Sequence, residues 1–385
     1  MTFNVYYQRI SEIIVCVGVF LQFMAVPSVW ANMNILCGCL ASGTHSIQVL
    51  LKSIFLNSYK NDFTHYLKRI EVVQKLSEEF EHKYLERRDN FVEYYLMESR
   101  HVRLMLVSLF VIMFLSTSAY FVPFMYNSVA HLDTVDSQLP PIVVYIPTNF
   151  NWTPVYQMVV FYLATCFYLV NLKTVVINSF MLGMIVLSTS HFRYQKDLLK
   201  RVLEKYFPES VEGNEDHNNL EADEKVILGE WIIAHQKLLK ATSDFGKIIS
   251  PYLLLEFSYT LVHTCVPAFV ITSTFSWTVA QKMAVLFIVS GGLMQLLLMS
   301  MAGDAFTQSW EYIDSDLFRS TLNQRQERWK FHFFMMTKAR LKRPFQFSAF
   351  NLFPLGCATL ATILRLIVSH YMTLNQIQTL KSGKN

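Results

Sequence analysis

The chain has 385 residues, of which 52% are hydrophobic, 15% aromatic and only 16% charged, and its mean hydropathy is positive. A soluble domain carries about 25% charged residues, so the composition excludes an ordinary soluble fold and reads as an all-α membrane protein with several spans. The formal net charge of +4 says little as a sum; the distribution of the charges says more.

Six cysteines (Cys16, Cys37, Cys39, Cys166, Cys265 and Cys357) all fall in apolar stretches, which argues against a disulfide framework. None has metal-site spacing with histidine. The first apolar stretch, residues 10–30, follows a single basic residue, Arg9. It is longer than a signal core and lacks a small-x-small cleavage site, so it reads as span one rather than a leader.

Span two covers residues 35–56. Beyond it, Leu67, Ile70, Val73, Leu76, Phe80, Tyr84 and Phe91 recur at spacings of three and four, which predicts an amphipathic helix outside the membrane. Span three covers 104–126. A loop over 127–153 follows, with Pro140, Pro141 and Pro147 and the glycosylation sequon at Asn151. The apolar run that starts near Pro154 lasts to about Ser190, too long for one crossing, so span four should project inward and continue to Tyr206. Residues 208–224 read as an acidic, polar loop. A helix over 225–247 leads into span five, 249–275, and span six runs 280–306.

The last stretch is unusual. A basic run (Lys338, Arg340, Lys342, Arg343) ends at Pro344 and leads into an apolar helix predicted over 347–375, with Arg365 near its middle and a polar far end. A mid-depth arginine and a polar exit suit the wall of a water-filled path better than a lipid anchor.

Ten basic residues lie between Lys52 and Arg103, nine between Arg193 and Lys247 and eight between Arg319 and Arg343; with Arg9 these make 28 of the 33. The alternate loops carry none. The positive-inside bias therefore predicts seven spans with the N-terminus in the cytosol and the C-terminus outside. G-protein-coupled receptors have the opposite orientation. Their span-three cysteine, acid-Arg-Tyr triplet and Asn-Pro-x-x-Tyr motif are also missing, so no G protein is expected.

This pattern resembles the insect odorant receptor family. The topology, the proline-bearing second outer loop and the bulky cytosolic helices fit along the whole chain. The motifs lie in the last eighty residues or so: Gly303-Asp304-Ala305-Phe306 with Ser309, then Glu327-Arg328-Trp329-Lys330-Phe331, Ala339 to Phe345, and Ile363-Leu364-Arg365 with Ser369-His370-Tyr371. The resemblance implies an odorant-gated, non-selective cation channel in the plasma membrane of a sensory neuron dendrite. In it, a ligand-tuning subunit joins a common co-receptor in a heterotetramer, with residues 1–306 as the odorant-binding bundle, 307–345 as the cytosolic anchor and 346–385 as the pore-lining helix. This chain lacks the long cytosolic insertion of the co-receptor, so it resembles the tuning subunit.

Position by position, the resemblance puts Thr373 and Ile377 at the pore constriction and Gln376 beside the permeating ion. Residues 373 and 377 share one helix face independently of it. Arg365 should face water, a carboxylate or a subunit boundary, whereas Glu256 and Lys173 read as snorkelling side chains. A small volatile needs an enclosed apolar cavity, which the resemblance places in the outer half of the bundle. Candidates are Leu36 and Leu40 on span two, and Met113, Thr117, Tyr120 and Phe121 on span three. Span four offers Val160, Phe161 and Ala164, span five His263, Val266 and Phe269, and span six Met283 and Phe287. Each of these could equally be plain packing. Of them, Thr117, Tyr120 and His263 could hydrogen-bond a ligand, although a lone membrane histidine more often bridges helices.

No catalytic constellation, cofactor motif, metal site or nucleic-acid signature is present, and membrane lipid, the volatile and the co-receptor are the expected partners. Two rivals share some of these features. A gustatory receptor would have the same architecture without the co-receptor, but Ser369-His370 and Gln376-Ile377 match its terminal motif poorly. A transporter would show inverted repeats, and the sequence shows none.

Overall fold

In the computed structural model the backbone is described from Thr2 to Ser382, except for residues 30–32, 86–90, 119–152, 207–216, 273–278, 324–334 and 336–344 and scattered positions between 93 and 117. Side chains are described for 10–24, 43–85, 157–206, 224–265, 289–311, 345–373 and isolated positions elsewhere.

The described elements are almost entirely helical: α1 (Thr2–Val29), α2 (Met33–Ser58), α3 (Lys60–Leu85), α4 (Thr153–Tyr206), α5 (His217–Thr272), α6 (Val279–Asn323) and α7 (Cys357–Ser382). A two-stranded hairpin, β1 (Ser348–Ala349) and β2 (Phe353–Pro354), sits before α7. The stretches Gln157–Tyr206 in α4 and Val289–Glu311 in α6 are long and apolar enough to cross a membrane, and Ile10–Met24 and Cys357–Thr373 are shorter apolar helices.

Helix length organises the molecule. The 54 residues of α4 and the 56 of α5 each reach about 80 Å, against roughly 30 Å of hydrocarbon, so both must run far beyond a bilayer. The expected projection of span four is therefore one unbroken helix. On the fifth, the polar loop expected over 208–224 is shorter, because α5 begins at His217.

The projecting ends pack on α3. Its buried stripe is Phe63, Tyr66, Ile70, Val73, Ser77 and Phe80, at alternating spacings of three and four, with Glu81 beside it. Leu67, expected on that face, is exposed because the stripe runs through Tyr66 and Ile70 on either side. Tyr194, Leu198 and Val202 of α4 and Leu228, Trp231, Leu238 and Phe245 of α5 belong to the same buried core as this stripe, and Phe192 of α4 joins it to Phe306 and Trp310 of α6. Tyr66 stacks on Phe245 at 4.6 Å and Trp231 on His235 at 4.9 Å. Several polar groups here are paired across helices: Tyr194 donates to Glu81 at 2.7 Å, Arg201 reaches the same carboxylate at 3.1 Å, and the Trp231 indole donates to the Gln195 carbonyl at 3.1 Å.

The last helix begins ten residues later than the apolar run suggests. Phe350 and Asn351 both take left-handed φ values, 49° and 59°, and the Leu352 amide donates to the Ala349 carbonyl at 2.9 Å. Two consecutive left-handed residues closed by that bond make a type I′ hairpin turn. The Phe350 amide donates to Ser250 Oγ at 2.6 Å, which ties the turn to α5. Pro354 then lacks an amide to continue a ladder. The helix opens at Cys357, whose amide donates to Asp304 of α6 at 3.0 Å. Gly303 lets α6 approach this junction, since a Cβ there would collide with the Leu355 backbone.

Candidate functional site

The middle of the bundle holds a buried polar ladder. On α2, His45, Gln48 and Lys52 are spaced three and four apart and share one face; on α5, Tyr252, Glu256, Tyr259 and His263 do the same. These two faces meet. Lys52 and Glu256 form an ion pair with both side chains fully buried. The Glu256 carboxylate also accepts from Gln48 at 3.2 Å and from Gln295 of α6. Lys52 donates to Asn178 of α4 at 3.0 Å, lies over the Tyr252 ring at 5.3 Å, and shares Asn178 with the Tyr252 hydroxyl at 2.5 Å.

Glu256 is thus no snorkelling side chain. Its charge is met at depth by three donors from two other helices, the arrangement a buried carboxylate needs. The ion pair, with Gln295 and Asn178, joins α2, α4, α5 and α6 at one level.

About a turn or two outward, His45 is held from both ring nitrogens. Nε2 faces Asn171 Oδ1 at 3.1 Å, and Tyr259 lies 2.5 Å from Nδ1. Since the amide oxygen can only accept, this gives His45 an Nε2–H, and Tyr259 donates to Nδ1. The His263 ring stacks on His45 at 5.3 Å and on Tyr259 at 4.7 Å. His263 is therefore not a lone histidine; it stacks on Tyr259, one turn back on α5, and on His45 of α2.

Of the other expected pocket residues, Val160 is fully buried and Ala164 half-buried on α4, while Phe161 is 64% exposed and is not brought inside the bundle with them. Leu36, Leu40, Val266, Phe269, Met283 and Phe287 stand on helical backbone, but their side chains lie outside the described residues. Met113, Thr117, Tyr120, Phe121 and Asn151 lie outside the described residues altogether. Among the described residues, no cluster of three or more His, Cys, Asp or Glu is placed to hold a metal ion.

On α7, Thr359, Ile363 and Ile367 are buried, and the Ile367 carbonyl faces Cys265 of α5 at 3.8 Å. Arg365, Ser369, Thr373 and Gln376 are exposed and lie on the other side of the helix. The Thr373 hydroxyl folds back on the Ser369 carbonyl at 3.0 Å. Ile377 is helical, with its side chain outside the described residues.

Outside the spans, burial lowers the pKa of His191, stacked on Phe91 at 4.0 Å, to about 3 and that of His235 to about 4. Burial also raises the phenols of Tyr66 and Tyr194.

A predominantly helical bundle with helices long and apolar enough to cross a membrane, and with buried charged and amide groups paired between them, suits a membrane protein. The sequence pattern of the 7tm Odorant receptor family matches residues 32–368, and the chain belongs to that family. Its fold is similar to that of the insect olfactory receptor OR5 from Machilis hrabei: TM-score 0.71 at 10% identity, covering 97% of this chain and 90% of that one. The same receptor in complex with eugenol matches with TM-score 0.73 at 10% identity, over 98% and 90%. No individual curated protein matches the sequence.

Proposed function

We propose that this chain is the ligand-tuning subunit of an odorant-gated, non-selective cation channel. It would work in the plasma membrane with seven spans, its N-terminus in the cytosol and its C-terminus outside. Four subunits, including a co-receptor, would surround one pore, with the cytosolic ends of the long helices and residues 307–345 as the anchor between them.

The observation that carries this reading is the two-sided last helix. One face, Thr359, Ile363 and Ile367, is buried against the bundle. Its other face presents Arg365, Ser369, Thr373 and Gln376, exposed beside Val368 and Met372. Such a stripe at membrane depth is costly against lipid and is satisfied by a water-filled path. Thr373 and Ile377 would form the constriction and Gln376 would replace part of a cation's hydration. A small volatile would sit in the outer half of the bundle, among the candidates on spans two to six; the similarity to a receptor captured with eugenol supports a ligand of that size. Ligand binding opens the pore to the extent that it binds the open state more tightly.

The test is whole-cell current during exposure to a panel of volatiles, with this chain alone and with an insect odorant co-receptor. Odorant-evoked cation current in the co-expressing cells alone supports the reading. Current from this chain alone points instead to a self-sufficient channel of the gustatory kind, and substrate uptake without current overturns the channel.

A further inference from the structure

Three faces run along α7, roughly a third of a turn apart. Thr359, Ile363 and Ile367 are buried. Arg365, Ser369, Thr373 and Gln376 make the exposed polar stripe. The third face, Cys357, Ala361, Leu364, Val368 and Met372, is apolar and exposed as well. Its residues recur at spacings of three and four, which keeps them in one line along the helix.

Two features set this strip apart from an ordinary lipid-facing one. It adjoins the polar stripe, so where that stripe meets a water-filled path enclosed by several subunits, the strip lies at the boundary with the next subunit. It is also graded in size, with Cys357 and Ala361 near the start of α7 and Leu364, Val368 and Met372 beyond them. The exposed stripe of α1 has no such gradient: Ile10, Ile13, Val17, Phe20 and Met24 are large at every turn. Small side chains let two helix backbones come close, so the gradient suits helices that converge toward the start of α7 and spread toward its end.

Helices that ring a path meet head to tail, unlike face to unlike face. The strip must therefore meet the flank on the far side of its neighbour's polar stripe. In this chain that flank is Thr362, Leu366 and His370, all exposed. The Thr362 hydroxyl returns to the Ala358 carbonyl at 3.0 Å, and Leu366 is the one large aliphatic side chain of the three. A strip of Leu, Val and Met gives the imidazole of His370 nothing to bond, and burying it unpaired is costly. Two copies of this chain thus match poorly at the seam.

We infer that the strip from Cys357 to Met372 is the seam against the last helix of the co-receptor, and that the flank bearing His370 keeps this chain from closing the ring alone. This inference rests on the tetrameric channel reading above. The co-receptor is recognised by large apolar side chains on the flank that meets the strip. A mismatch with the chain's own copy makes the assembly specific as surely as the match does.

The test places a photoreactive residue on the seam of the full chain, expressed at the cell surface with the co-receptor. Leu364→p-benzoylphenylalanine and Val368→p-benzoylphenylalanine are irradiated, and adducts are read by one tag on the co-receptor and another on a second copy of this chain. Met158, 71% exposed on α4, carries the same group as the lipid-facing control. Positions 364 and 368 should give a co-receptor adduct at least about tenfold above the control and above any adduct with a second copy. Thr362→Leu combined with His370→Leu, two exposed positions whose change preserves folding, should raise the self-adduct several-fold. A self-adduct equal to the co-receptor adduct without those changes would overturn the inference, as would a self-adduct that they leave unchanged. Lipid adducts alone at 364 and 368, in cells that conduct, would overturn the seam and keep the channel. Surface-expressed receptor that gives no odorant-evoked current would overturn the channel reading, and the seam with it.

Discussion

The α3 end of the bundle and its middle are both buried, yet they are assembled from opposite kinds of side chain. Around α3 the interior is aromatic and aliphatic; some of its polar atoms pair between helices, while the rings of His191 and His235 are held by stacking and packing without hydrogen-bond partners. Between α2 and α5 the interior is a ladder of histidine, glutamine, lysine and glutamate, closed by asparagines of α4 and a glutamine of α6. Apolar packing tolerates small shifts, because its attraction is non-directional. An ion pair with amide partners from several helices does not, because each donor must meet its acceptor or leave a charge uncovered. The core around α3 therefore supplies stability, and the ladder fixes how α2, α4, α5 and α6 register on one another.

The largest expected effect separates these two interiors. Lys52→Met leaves Glu256 charged and underpaired at depth and should cost about 3–5 kcal/mol, seen as loss of folded receptor in size-exclusion traces. Lys52→Met combined with Glu256→Met should recover most of that loss, because the lone charge is gone. If the double variant is no better than the single, the ladder is not acting as a charge pair.

A second contrast is pH. Unfolded histidine titrates near 6.5, whereas burial holds His235 at about 4 and His191 at about 3. Both folded values are depressed, so the stabilising difference is complete above pH 6.5 and is lost as pH falls toward 4. At pH 5.5 each should cost roughly 1 kcal/mol. Melting temperature against pH, with His191→Phe and His235→Phe flattening the curve, checks this. An unchanged slope would mean that the core around α3 does not exclude the imidazolium.

A smaller effect is expected at the junction between the two regions. Asp304→Ala removes the carboxylate that caps α7 and should cost about 1–2 kcal/mol, while Asp304→Asn should cost less. The smallest is Gln376→Ala, which should leave the melting temperature unchanged and alter relative cation permeability, measured from reversal potentials.

The α3 stripe was legible because its residues are apolar and recur with the helix period, although Leu67 was one position off the buried face. The length of α4 was legible in an apolar run that outlasts a bilayer. The ladder was not. Glu256 looked like an interface residue because a single charge in an apolar segment carries no sign of its partner, and Lys52 lies on another helix. His263 looked alone for the same reason. The hairpin before α7 was hidden because Phe347, Ala349 and Leu355 are as apolar as helix residues, and neither Phe350 nor Asn351 is the glycine that usually announces a left-handed turn. The Gly303-Asp304 pair was visible as a family motif, but its physical role appears only once Leu355 and the Cys357 amide are placed against it.

The central claim is that the exposed stripe of α7 lines a conducting path while its opposite face packs on the bundle. The most direct measurement is thiol accessibility during odorant-evoked current in cells that also express the co-receptor. Gln376→Cys, Thr373→Cys and Ile363→Cys would be compared with the unsubstituted chain, whose own Cys16 and Cys357 are exposed and set the background. The account predicts that a charged, membrane-impermeant methanethiosulfonate reagent applied from outside suppresses current at 376 and 373 and leaves Ile363→Cys at background. Suppression at 363 with none at 376 or 373 would contradict it.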